Sequence, residues 1–196
     1  MFLSEILLDA SFCYQQQIED DYSLHRVIYS FFPRSETSVR HLYADCGPTP
    51  AGRKVLLLSP SEPKLPANVT SSTKIIGEKF WDYPNYRFEV TLNPVKKNFK
   101  TKKREAIIGQ VNLLEWFLAQ APKWGFEADR NTLEVAVHNT KIFTKSSGVC
   151  RFNNVFFRGK LQVTDREKFR QSAQSGIGHG KAFGFGLLRL QIINHQ

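Results

Sequence analysis

Hydrophobic positions along this chain follow two periods, two residues in some stretches and about 3.6 in others, which separates strands from helices. Residues 2–9 form an apolar strand candidate. Residues 20–32, DDYSLHRVIYSFF, place Leu24, Val27, Ile28 and Phe31 at i, i+3, i+4 and i+7, the spacing of an amphipathic helix. Asp20 or Asp21 caps its start and Pro33 ends it. Residues 39–45 and 53–59 read as strands joined by the turn-rich CGPTPAG. The stretch SPSEPKLPANVTSS reads as a loop holding one short helix, and KIIGEKFW (74–81) as a closing strand.

The second half returns to that order. YRFEVTLN (86–93) reads as a strand, and EAIIGQVNLLEWFLAQ (105–120) as a helix with Ile107, Ile108, Val111, Leu114 and Leu118 on one side. TLEVAVH (132–138) and NVFFRGKLQV (154–163) read as strands; in the latter, Val155, Phe157, Leu161 and Val163 alternate with Phe156, Arg158, Lys160 and Gln162. Thr164 and Glu167 have capping-box spacing ahead of a helix, DREKFRQSAQ. A glycine run, GIGHGKAFGFG (176–186), leads into a last strand, GLLRLQII. The order βαββαβ, clear here and echoed in the first half, predicts an α+β protein of two tandem ferredoxin-like, RRM-like domains. The expected division is residues 1–84 and 85–196.

Charge adds a partner to this picture. Residues 1–92 carry nine Lys/Arg against eleven Asp/Glu, whereas residues 93–196 carry eighteen against seven. A second half so basic suits a polyanion, and nucleic acid is the favoured partner. The 41% hydrophobic content supports a packed core. No apolar run approaches the roughly 20 residues that span a bilayer, and MFLSEILLDA has no basic leader, so neither a membrane nor a signal peptide is expected. Cys13, Cys46 and Cys150 form no CxxC pair, which fits a reducing cytoplasm. His25, His41, His138, His179 and His195 show no ligand spacing, so no metal and no other cofactor is expected.

Three constellations bear on chemistry. On the first helix, Tyr22, His25, Arg26 and Tyr29 share the face opposite the apolar one. That set suits general acid–base work on a phosphate ester, or it is an ordinary polar face. The glycine run is neither a Walker loop nor a dinucleotide fingerprint. It fits a phosphate cradle of Gly178, His179, Gly180 and Lys181, a tight turn, or slack. Finally, NPVKKNFKTKKR offers Lys96, Lys97, Lys100, Lys102, Lys103 and Arg104 to phosphates, and a hairpin over 139–154 would project Lys141, Lys145 and Arg151.

YSLHRVIYSFFP, YRFEVTLNPVKK, FRGKLQVTD and GIGHGKAFGFGLLRL together resemble the CasE family of CRISPR repeat-processing endoribonucleases, over essentially the whole chain. The glycine motif is shared with RAMP proteins generally; its pairing with the Y-x-L-H helix is more specific. The resemblance implies metal-independent cleavage of CRISPR precursor RNA at the 3′ base of the repeat stem-loop. It also implies continued attachment to the guide RNA beside other subunits of type I-E Cascade. Matched by position, His25 is the catalytic histidine, Tyr22 its neighbouring tyrosine, and Lys181 the lysine of the glycine loop. Arg26, Tyr29 and Arg158 join the basic residues above as expected RNA-binding positions. Family members commonly carry Pro-Ala where this chain has His179-Gly180. A RAMP subunit that binds guide RNA without cutting it is the alternative. An enzyme acting on a small phosphorylated metabolite would leave the basic half unexplained.

Overall fold

The computed structural model describes residues 1–33, 41–145 and 148–193. Strand β1 (Phe2–Leu8) leads through a short helix α1 (Ala10–Gln15) to α2 (Asp21–Ser30). Strands β2 (Leu42–Thr49), β3 (Gly52–Ser59) and β4 (Thr70–Ile75) follow. They form an antiparallel sheet in the order β2-β3-β1-β4, the ferredoxin-like arrangement. The strand expected over 39–45 begins outside the described residues and is seen from Leu42. Helix α1 has no counterpart among the expected elements; Asp9 caps it by accepting a hydrogen bond from the Phe12 amide at 2.7 Å.

In β3, residues 55–58 form the unbroken apolar run VLLL because both faces of this sheet are covered. Val55 and Leu57 pack inward with Ile6, Leu8, Leu24, Val27 and Ile28. Leu58 packs on the opposite face with Leu42, Ala44 and Leu187, the last from the second domain. The short helix expected between residues 59 and 72 is absent; instead Leu65 and Val69 lay extended chain over the first core. The closing strand is also displaced. TSSTKI (70–75) has no apolar alternation, yet it pairs with β1 from Phe2↔Ile75 to Leu7↔Thr70 as a polar edge. Gly77 then starts a 3-10 turn over Glu78–Trp81 that drops Trp81 into the second core.

The second sheet is built on β5 (Asn85–Leu92) and β12 (Val155–Val163), with β13 (Arg189–Ile192) beside β5. Strands β8 (Phe126–Ala128) and β9 (Glu134–Val137) share the far side of β12. This is the ferredoxin-like order again, covered by α3 (Gln110–Gln120) and α4 (Arg166–Ser175). Two hairpins extend from it, β6 (Val95–Lys97) with β7 (Arg104–Ala106), and β10 (Lys141–Lys145) with β11 (Gly148–Phe152).

Two boundaries differ from expectation. Helix α3 starts at Gln110 rather than 105, since Arg104–Ala106 is committed to β7 and Gly109 has φ +91°, incompatible with a helix interior. Its buried stripe is Leu113 and Phe117, while Ile108 and Val111 stay exposed. Helix α4 is capped by Asp165, which accepts from the Lys168 amide at 3.1 Å, one residue after the expected Thr164. Asp165 competes well for this position because its carboxylate is a stronger acceptor than a threonine hydroxyl at the positive helix end.

Candidate functional site

Helix α2 is fixed first by its own sequence. Asp20 and Ser23 form a reciprocal cap: the Ser23 amide donates to Asp20 Oδ1 at 2.7 Å, and the Asp20 amide donates to Ser23 Oγ at 2.9 Å. With Leu24, Val27 and Ile28 buried, helical spacing turns Tyr22, His25, Arg26 and Tyr29 away from the first core. The His25 ring is half-buried, 4.4 Å from the Tyr29 centroid and 6.4 Å from that of Tyr22. Tyr22 remains 37% exposed and Arg26 is exposed, so both stay open to a large substrate. Tyr29 in turn sets its edge against His41 at 5.4 Å, and His41 lies fully buried on the Phe32 ring.

The second domain completes the site through the glycine run. Helix α4 ends at Ser175, the chain loops through residues 176–186, and a 3-10 turn over Lys181–Phe183 faces α2. The Phe183 ring stands 5.5 Å from His25, and the Tyr43 hydroxyl donates to the Ala182 carbonyl at 3.2 Å. Phe152 of β11 packs on Phe183 and Phe185, so hairpin β10–β11 supports the same turn. The glycine freedom here serves protein packing at the base of the loop. At Gly186 (φ +84°) a Cβ would stand 2.2 Å from the Ile177 carbonyl oxygen, and the Ile177 amide donates to the Gly186 carbonyl at 3.0 Å. Of the three sequence readings, slack is therefore excluded for the base of the run. The tip carrying Gly178, His179 and Gly180 stays at the surface, with Gly180 in the left-handed region at φ +85°.

The expected site residues divide into groups. Tyr22, His25 and Tyr29 are brought together with the glycine segment. Lys181 donates to the Ser175 carbonyl at 3.0 Å, placing its charge at the negative end of α4. Partial burial, and then the charges of Arg104 and Lys181, hold His179 below the ordinary histidine range. Arg104 belongs to hairpin β6–β7. Lys96, Lys97, Lys100, Lys102, Lys103 and Arg104 are all exposed along that hairpin. Arg151 is exposed on β11, and the Lys145 side chain lies outside the described residues. Arg158 stands apart. It donates twice to Glu134 Oε2, at 2.9 and 2.7 Å, and lines a groove of about 640 Å³ between the two sheets. Neither His25 nor Phe183 lines that groove.

Four residues at the junction carry no functional signal in the sequence: Asp21, Tyr43, Phe152 and Phe183. Asp21 accepts from Lys141 of β10 at 2.5 Å. Among the described residues, no three His, Cys, Asp or Glu side chains gather as a metal site, and no helix is long and apolar enough to cross a membrane. The arrangement offers proton carriers on one domain, cations on the other, and an open approach between them.

Comparison with known proteins places the chain in a family. A family model described as CRISPR associated protein matches residues 1–191. The CRISPR-associated endoribonuclease Cse3 of Thermus thermophilus is 30% identical over 112 residues, 52% of this chain. That match covers 53% of Cse3, about half its length. The CRISPR system Cascade subunit CasE of Escherichia coli is 24% identical over 205 residues, covering 97% of this chain and 98% of that one. Among solved structures, CRISPR endoribonuclease Cse3 bound to a 19-nucleotide RNA superposes with a TM-score of 0.79. It shares 22% identity and covers 97% of this chain and 100% of that one, a likeness of fold.

Proposed function

The chain belongs to the CRISPR-associated protein family, and on that premise we propose that it is an endoribonuclease that cuts CRISPR precursor RNA at the base of the repeat stem-loop. The observation that carries this reading is the meeting of His25, from the first domain, with the glycine segment of the second at 5.5 Å, beside Tyr22 and Tyr29. The names of its relatives, endoribonuclease and Cascade subunit, support the same class of activity and retention in a Cascade assembly. We assign residues 1–84 to the domain bearing the proton carriers and residues 85–196 to the domain that grips RNA.

The chemistry follows from the groups available. The RNA's own 2′-hydroxyl attacks the adjacent phosphorus, the bond to the 5′-oxygen breaks, and a 2′,3′-cyclic phosphate and a 5′-hydroxyl result. One proton leaves the 2′-oxygen and one reaches the departing 5′-oxygen, and His25 with Tyr22 carries these transfers. Arg26 and Lys181 offset charge on the phosphorane, and the exposed cations of β6–β7 and Arg151 hold the stem. Holding 2′-oxygen, phosphorus and leaving oxygen in line is the larger part of the task, and it needs both domains.

A stem-loop repeat RNA with one 2′-deoxy nucleotide at the scissile position tests this directly. The expected outcome is binding without cleavage, alongside cleavage of the all-ribose RNA in excess EDTA. Changing His25 to alanine lowers the single-turnover rate by about 100- to 10,000-fold while RNA still binds. A shift without any cut in the wild-type reaction would favour the binding-only subunit. Loss of cutting in EDTA would overturn the metal-independent route.

A further inference from the structure

One charged pair ties the two domains together at the start of α2. Lys141 Nζ lies 2.5 Å from Asp21 Oδ1, and the two side chains retain only 18% and 15% exposure. Asp21 is the first residue of the helix, directly before Tyr22 and one turn before His25. On its other side the Lys141 ammonium sits 5.4 Å from the centroid of Phe185, whose ring packs against Phe152 of the same hairpin. The Tyr43–Ala182 hydrogen bond also holds the turn that meets His25. The basic hairpin therefore does two jobs with different residues: Arg151 faces solvent, whereas Lys141 faces the neighbouring domain.

We propose that Lys141 is a positioning residue that, through Asp21, locks the first turn of α2 onto the second domain and so sets where Tyr22 and His25 stand against the glycine segment. An aspartate in the first turn is already favoured by the helix dipole, so the helix itself does not need the lysine. What the lysine adds is tertiary. A charge-assisted bond largely removed from water is short and directional, and losing one partner leaves the other charge uncompensated. Small displacements of reacting groups are expensive in rate, which makes a fixed helix register valuable for in-line attack.

The activity arm of the test rests on the endoribonuclease reading above; a second arm does not. In the full chain, Lys141→Met lowers the single-turnover rate at saturating repeat RNA by about 10- to 100-fold. Affinity for the 2′-deoxy RNA stays within about threefold, because the missing interaction positions rather than binds. Lys141→Arg, which keeps the charge, restores the rate to within about threefold of wild type. Hydrogen exchange of peptides covering residues 21–30 quickens in Lys141→Met and not in Lys141→Arg. Should Lys141→Met fail to fold, Asp21→Asn removes the same pair with little change in size and is measured in its place. A wild-type rate at saturation, a loss confined to RNA affinity, or unchanged exchange across α2 would each overturn the proposal. If the wild-type protein cuts no RNA, the endoribonuclease reading falls, and the exchange arm still decides the lock.

Discussion

His25 lies on the face of α2 that the first core leaves uncovered, so its ring is partly shielded by Tyr29 and Phe183 yet open towards Tyr22. Nearby, Asp45 shows how single charges hold the strand that presents Tyr43. Burial pushes its carboxyl up, but the hydrogen bond and charge of Arg53, with the Gly47 amide, outweigh this and hold it below the ordinary carboxylate range. Arg53 reaches both carboxylate oxygens, at 3.2 and 2.6 Å, and the two side chains are only 25% and 14% exposed. A depressed carboxyl stabilises the fold above the unfolded value of about 3.9, and that contribution is lost as pH falls through the folded value. Asp45→Asn is therefore expected to cost about 2 kcal/mol at neutral pH in urea unfolding. The difference from wild type begins to shrink near pH 4, where the unfolded carboxyl takes up its proton, and is gone once pH falls below the lower folded value. Tyr22, His25 and Tyr29 are legible in the sequence, since helical spacing alone puts them on one face. The Asp21–Lys141 and Tyr43–Ala182 pairs are not, because their partners lie 120 and 139 residues apart and periodicity speaks only of neighbours.

At the scale of elements, hydrophobic pattern succeeds wherever one face of a strand or helix is buried against one core. It fails where another force chooses the boundary. Strand β4 is polar and held by its ladder to β1, so no hydrophobic alternation announces it. Glu105 and Ala106 continue the helical spacing of Ile107 and Ile108, yet their backbone pairs with Lys96 and Val95. The consequence is functional. The six cations of NPVKKNFKTKKR, for which the sequence predicts no strand, ride a hairpin whose turn is organised by Asn98, which accepts from the amides of Lys100 and Thr101 at 2.8 and 3.1 Å. An ordered hairpin presents its charges as a set. Replacing Lys96, Lys97 and Lys100 with alanine is expected to flatten the dependence of log affinity on log salt by about one unit for each phosphate no longer neutralised. Titrating labelled stem-loop RNA at several salt concentrations measures this slope, and an unchanged slope would remove the hairpin from the interface.

Across the whole molecule, the two halves divide their labour by charge and by chemistry. The first half is slightly acidic and holds Tyr22 and His25, the proton carriers we propose; the second is strongly basic. Between them lies an apolar seam in which Leu187 packs against Leu42, Ala44 and Leu58. That seam is hidden from the sequence, where Leu187 reads only as the start of a final strand. It also has a kinetic corollary. Each half holds a part of the proposed site, and the chain passes between them once, in the connection from β4 to β5. If protease opened the chain at the exposed Asp82–Tyr83 bond, the halves would still cohere through Leu187 and the Asp21–Lys141 pair, but activity would become bimolecular. Dilution of the nicked protein should then slow cutting in proportion to the dissociated fraction, and mixing two inert halves should bring it back.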